Sequence, residues 1–215
     1  MKLYIFDFDG TLGDTTTLIV QTMMDTFDAV GIQRPTVEAC VDTIGLPLAE
    51  CFIVSAHLSA AEGEHCAAVY RHIFHQNNVP GSVKPYPGVI DTLRFLHQQG
   101  KTLAVATSRR HESLDGLLAE LGITDLFSAI VAADDVVHAK PNPEPVNKIL
   151  QALDSRPEDA IVIGDAPYDI LMGRNAGTKT CAVTYGNGKA DELKAAGTDY
   201  VIDHFPDLLR VESVQ

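Results

Sequence analysis

Two aspartates close an apolar run near the start of the chain, in Phe6-Asp7-Phe8-Asp9-Gly10-Thr11. They fall at the carboxyl end of a predicted strand over residues 3–8 (LYIFDF), and a period of two places both carboxylates on one side of it. In open α/β sheets, ligands bind at that end of the strands. Two neighbouring carboxylates repel unless a cation neutralises them, and a divalent metal with oxygen ligands does so. Gly10 lets the chain turn and brings backbone N–H groups towards an anion. The competing reading, a solvated acidic loop, sits poorly with the four apolar residues that lead into the pair.

A second apolar run ends the same way, in Val162-Ile163-Gly164-Asp165-Ala166-Pro167-Tyr168-Asp169. Asp165 repeats the strand-end placement of Asp7 and reads as a further metal ligand. Asp169, four residues on, could instead cap the helix that follows. In Ala104-Val105-Ala106-Thr107-Ser108-Arg109-Arg110, hydroxyls end a strand before a helix. Thr107 could cap that helix or hydrogen-bond a phosphate at its N-terminus. Arg109 and Arg110 read as surface residues, with substrate contact as the lesser reading. Lys140 opens Lys140-Pro141-Asn142-Pro143-Glu144-Pro145. A surface lysine needs no such loop, whereas three prolines fix the direction in which this one leaves the chain.

Other patterns fail. Gln99-Gly100-Lys101-Thr102 has the end of a phosphate-binding loop, but Phe95 stands where the first glycine belongs and a strand follows instead of a helix. No GxGxxG, HExxH or GxSxG occurs. His65, His72 and His75 share the flank of one predicted helix; a solvated face outweighs the alternative of a metal site there.

Strands are predicted at 3–8, 102–106, 128–132, 160–163, 180–183 and 199–202. Helical patterns fall near 111–121, 144–153, 168–176 and 189–196. Alternation of this kind predicts a parallel sheet between helix layers, and continuous apolar strands mean both faces are buried. Residues 15–77 break the rhythm. There Leu18, Thr22, Met23, Thr26, Phe27 and Val30 share one helical face, as do Cys66, Val69, Tyr70, Ile73, Phe74 and Asn77. About four helices are expected, starting near Thr16, Thr36, Leu48 and Ser59. Turn chemistry at Leu12–Asp14 and Pro80–Gly88 flanks them. The division expected is a core of residues 1–14 and 84–215 with a helical cap of residues 15–83.

With 215 residues, 46% hydrophobic and 21% charged, the chain can bury a core without staples. Its net charge of −13 disfavours nucleic acid as a partner. It also repels a small anionic substrate unless a metal or a local cation attracts it. Cys40, Cys51, Cys66 and Cys181 contain no CxxC pair and read as reduced, buried thiols. No apolar run approaches the ~20 residues of a membrane span. The opening MKLYIFDFDG turns acidic too early for a leader's apolar region, so a cytoplasmic location is expected; nothing in the sequence sets the oligomeric state, and a monomer is the default.

The four segments together resemble the haloacid dehalogenase-like phosphatase superfamily, in its phosphoglycolate-phosphatase-like branch with an α-helical cap. DFDGT at 7–11, Thr107, KPNPEP at 140–145 and GDAPYD at 164–169 occur in the family's order. The resemblance implies a Rossmann-like three-layer α/β core with a small all-helical cap. It implies a Mg²⁺-dependent phosphatase acting on a small phosphorylated metabolite. Asp7 would be the nucleophile, forming an aspartyl-phosphate. Asp9 would protonate the leaving oxygen and then activate water. The Asp7 carboxylate, the Asp9 backbone carbonyl and Asp165 would hold Mg²⁺, with Asp169 in support. Gly10, Thr107, Ser108 and Lys140, with Asp9, would bind the phosphoryl group. Ile44-Gly45-Leu46-Pro47, after the turn at Arg34-Pro35, resembles the cap's substrate loop. Gly13–Thr15 and Pro80–Gly88 would be hinges. Gly13 stands where an apolar residue is usual, and Ala166 where a hydroxyl is common.

Asp9 argues against a dehalogenase, which typically lacks the second aspartate. The absence of lysine from residues 13–83 argues against a phosphonatase. The absence of Lys and Arg from residues 36–70 argues against a β-phosphoglucomutase-like sugar phosphomutase. An inorganic pyrophosphatase on the same scaffold remains an alternative. A non-catalytic binding protein is disfavoured by the intact motifs.

Overall fold

The computed structural model describes residues 1–211. The last four residues of the expected core segment, 212–215, lie outside the described residues. Six parallel strands form one sheet in the order β5-β4-β1-β6-β7-β8. They are β1 (Leu3–Phe6), β4 (Thr102–Ala106), β5 (Ala129–Val131), β6 (Ala160–Gly164), β7 (Lys179–Val183) and β8 (Tyr200–Ile202). Period-two alternation divides the side chains of the central strands between two layers. Tyr4, Phe6, Leu103, Val105, Ile161 and Ile163 pack on one side. Leu3, Ile5, Ala104, Ala106, Ala160 and Val162 pack on the other, against Val146, Ile149 and Met172. Helices α5 (Val89–Gln98), α6 (His111–Glu120), α7 (Glu144–Ala152), α8 (Pro167–Asn175) and α9 (Ala190–Ala195) make the crossovers. The result is the expected Rossmann-like three-layer α/β core.

Between β1 and β4 the chain forms α1 (Thr16–Val30), α2 (Val37–Val41), α3 (Leu48–Ala56) and α4 (Ala60–Asn77). Their ends follow local chemistry. The Thr36 hydroxyl accepts from Ala39 N at 3.1 Å to start α2. Ser59 and Glu62 form a reciprocal capping box on α4. Gly31, at φ 72°, takes the left-handed turn that closes α1. Phe27 meets Phe52 with ring centroids 5.3 Å apart, and Phe52 meets Tyr70 at 5.8 Å. Phe52 is fully buried among these helices. Phe52→Ala is therefore expected to destabilise the protein by about 3–5 kcal/mol, read as a shift in the chemical-denaturation midpoint. A shift below about 1 kcal/mol would mean that the helices do not share this aromatic centre.

Three features depart from the sequence reading. The first strand ends at Phe6, because Leu12 and Gly13 both donate to Phe8 O at 2.9 Å and curl the chain into a turn. Helix α5 has no counterpart among the predicted helices, although Val89, Leu93 and Leu96 carry an i, i+4, i+7 stripe and are buried. Two short strands, β2 (Gly13–Asp14) and β3 (Lys84–Pro85), pair antiparallel where the helical segment leaves and re-enters. A two-residue ladder has no periodicity to detect. Gly13 is explained here, since a Cβ would lie 3.0 Å from the Phe8 ring.

Candidate active site

At the carboxyl end of the sheet, the loops after β1, β6 and β5 converge. Asp7 follows β1 directly, its N–H donating to Ile163 O at 2.9 Å. Asp165 follows β6, and Asp169 lies in the first turn of α8. Each offers an oxygen within 4.8 Å of the others, and all three are buried. Lys140 reaches in from the proline-rich loop. Its Nζ donates to Asp7 Oδ1 and to Asp169 Oδ1, both at 2.6 Å, with the side chain 2% exposed. The surface reading of Lys140 is thus excluded by geometry. Asp169 also takes the capping role considered for it, because its other oxygen accepts from Ala166 N at 3.1 Å and caps α8.

Three buried carboxylates face one ammonium, so two negative charges are left without a local partner. Burial pushes the Asp7 carboxyl well up; Lys140 pulls it down only in part, and Asp169 and Asp165 add to the rise. Burial, then Asp169, raises Asp165 to about 7. For Lys140, burial opposes the charge, but Asp169 and Asp7 more than offset it and hold the ammonium protonated. Hard oxygen donors with two uncompensated charges fit a divalent cation.

That imbalance has a pH signature. A carboxyl whose pKa is raised on folding keeps a proton that the unfolded chain has already released. The stability it contributes is present at low pH and is lost as pH rises from about 4, the unfolded value, to about 7 in the fold. The metal-free protein is expected to melt at progressively lower temperature across that window. Stabilisation by a divalent cation should grow over the same range, since ligands must be deprotonated. Asp165→Asn should flatten the metal-free slope, and an unchanged slope would contradict the assignment.

The structure separates Asp9 from this cluster. With β1 ending at Phe6, the period-two argument fails, and the Asp9 carboxylate turns to different partners. Its Oδ1 accepts from Thr15 Oγ1 at 2.5 Å and from Arg109 Nε at 2.8 Å. Arg109 is buried rather than on the surface as expected, while Arg110 stays exposed, 3.7 Å from Asp134. Gly10 adopts φ 77°, and a Cβ there would collide with the Asp165 carboxylate. Its N–H closes the turn on Gly13 O at 3.0 Å. Thr107 is buried directly after β4, the strand next to β1, and its hydroxyl accepts from Arg109 N at 3.2 Å. Ser108 donates to Gly45 O at 2.7 Å and so ties the sheet end to the Ile44–Pro47 loop. Arg34 pairs with Asp28 in solvent. His65, His72 and His75 are exposed, as a solvated face should be.

Sequence reasoning missed the shell around Asp165. Its Oδ1 accepts from Thr11 Oγ1 at 3.1 Å, and its Oδ2 from Asn187 N at 2.7 Å and Nδ2 at 3.1 Å. Gly186 and Gly188 flank Asn187 and admit no Cβ beside Asp165. The available signal was Gly186-Asn187-Gly188 just after the carboxyl end of β7.

A parallel sheet that gathers acids and one lysine at its carboxyl end defines an α/β enzyme. The family model described as haloacid dehalogenase-like hydrolase matches residues 4–183, and the chain belongs to that family. The chain is 37% identical over 211 residues to a protein named Pyrophosphatase PpaX from Halalkalibacterium halodurans, with 98% of this chain and 96% of that one covered. A solved structure from Bacteroides fragilis, described as a haloacid dehalogenase-like hydrolase, superposes with a TM-score of 0.88 at 26% identity, covering 96% of this chain and 99% of that one. One from Haemophilus somnus, described as a predicted phosphoglycolate phosphatase, has the same fold, with a TM-score of 0.88 at 24% identity over 99% and 98% of the two chains. No helix among the described residues is long and apolar enough to cross a membrane.

Proposed function

We propose that the protein is a Mg²⁺-dependent phosphatase that hydrolyses a small phosphate monoester through a phosphorylated Asp7. The observation that carries this reading is the buried set of Asp7, Asp165 and Asp169 around Lys140. It joins an activatable carboxylate, a fixed cation and an oxygen-donor cluster at one strand end. Membership of the hydrolase family supports it. The Asp7 and Asp165 carboxylates would hold Mg²⁺ with the Asp9 carbonyl, and Asp169 would assist. The ion would supply positive charge to the phosphoryl oxygens.

The rest falls to the chain's own groups. An Asp7 carboxylate oxygen forms a bond to phosphorus as the bond to the leaving oxygen breaks, which splits hydrolysis into two easier steps. Asp9 gives its proton to the leaving oxygen and later takes one from the attacking water. Lys140 and the Thr107 hydroxyl hold the phosphoryl group, where positioning and charge stabilisation matter most. Residues 15–83 act as a cap over a core formed by residues 1–14 and 84–215. When it is seated, bulk water is excluded. The name of the Halalkalibacterium halodurans relative makes inorganic pyrophosphate a substrate to test beside monoesters.

The test is inorganic phosphate release from a panel of monoesters and pyrophosphate, with Mg²⁺ and with EDTA. Release that needs the metal supports the reading. Silence across the panel, or release indifferent to EDTA, overturns it.

A further inference from the structure

Asp9 and Arg109 face a cavity of about 410 Å³ between the sheet end and helices α3 and α4, with Gly45, Tyr70, Phe74 and Ser108 in its wall. The Arg109 side chain is 8% exposed. Its guanidinium lies 5.0 Å from the centre of the Phe74 ring and 5.8 Å from that of Phe8. Nε donates to Asp9 Oδ1 at 2.8 Å, and Nη2 lies 2.7 Å from the same oxygen. Thr15 Oγ1 donates to that oxygen as well. Because all three donors crowd one acceptor, the Nη2 N–H groups have no aligned partner, although the atom is buried. Buried polar groups seldom stay unsatisfied, and each exception calls for an explanation.

We infer that Arg109 Nη2 is the docking point for an anionic oxygen on the leaving group, so that this residue selects phosphate compounds whose leaving group is itself an anion. The inference rests on the phosphatase reading above and deepens it. Asp9 must turn towards the leaving oxygen to deliver a proton there, and in doing so it withdraws from Arg109. A buried guanidinium between two aromatic rings is then left without a counter-charge. A carboxylate or phosphoryl oxygen on the leaving group takes its place, whereas a neutral leaving group does not. The cavity wall also carries Arg71, Arg110, Glu64, Glu112 and Asp134. Those charges are of both signs and more open to solvent, so the buried cation decides. The fork geometry of Arg suits such oxygens.

The experiment compares kcat/KM for phosphoglycolate with that for 2-hydroxyethyl phosphate, in which a neutral hydroxymethyl replaces the carboxylate. Pyrophosphate serves as the phosphoryl arm. Wild type is expected to favour the anionic compounds by about tenfold or more. Arg109→Met should cut that ratio by about tenfold, mainly through KM, and Arg109→Lys, which keeps the charge but loses the fork, should cut it by less. Whichever anion loses more in Arg109→Met identifies the preferred leaving group. A wild-type ratio near unity, or the same ratio in Arg109→Met, overturns the inference. Should Arg109→Met not fold, Arg109→Gln, which keeps N–H donors but not the charge, decides in its place, and an unchanged ratio there overturns the inference. Asp7-dependent hydrolysis without an anionic preference leaves the phosphatase reading standing while this inference falls. Absence of hydrolysis of any compound sinks both.

Discussion

Asp7→Asn is expected to lower phosphate release by at least ~10³-fold without unfolding the protein. The amide has the shape of the carboxylate but is far too weak a nucleophile to attack phosphorus. The fold should tolerate the change, because it removes one of three crowded negative charges. Lys140 keeps its 2.6 Å contact to Asp169, so no buried ammonium is stranded. A melting temperature equal to or above that of wild type, together with lost turnover, separates a chemical role from a structural one. Steady-state phosphate release and thermal melts read the two arms. Turnover within about tenfold of wild type would remove Asp7 from the chemistry.

Asp9→Asn is the second large effect, an expected loss of about 10²–10⁴-fold, the usual worth of a positioned acid or base. The amide oxygen of the variant can still accept from Thr15 and Arg109, which hold Asp9 at 2.5 and 2.8 Å, so the loop keeps its hydrogen bonds, while the buried guanidinium loses its counter-charge and the variant should melt below wild type. An amide cannot carry a proton to the leaving oxygen. The loss should therefore be greatest for alkyl phosphates, whose leaving oxygen needs that proton, and smallest for an aryl phosphate such as p-nitrophenyl phosphate. Equal losses for both classes would mean that Asp9 positions Arg109 but does not donate. Normal turnover would refute the acid–base role altogether.

How far the site was legible follows from where its residues sit. Asp7, Asp165 and Lys140 were readable because each ends an apolar strand or is stiffened by prolines, and strand ends of a parallel sheet converge by topology. The sheet was readable for a related reason, since β1, β4 and β6 are apolar on both faces. The pairing of Asp7 with Asp9 was not, because strand periodicity does not extend three residues past Phe6, into a turn that Gly10 and Gly13 permit. Arg109 reads as surface in the sequence because its burial depends on Phe74, a residue 35 positions earlier on a separate helix. Asn187 was invisible for the same reason: its contact to Asp165 spans 22 residues and leaves only a Gly-Asn-Gly trace in the sequence.

Covalent phosphoryl transfer to Asp7 is tested most directly by acid-quenching the enzyme during turnover and mapping the phosphoryl group by peptide mass spectrometry. The account predicts phosphorylated Asp7 in wild type with Mg²⁺ and substrate, and none with EDTA or in Asp7→Asn. Active turnover with Asp7 never phosphorylated, and phosphate release undiminished in Asp7→Asn, would contradict it.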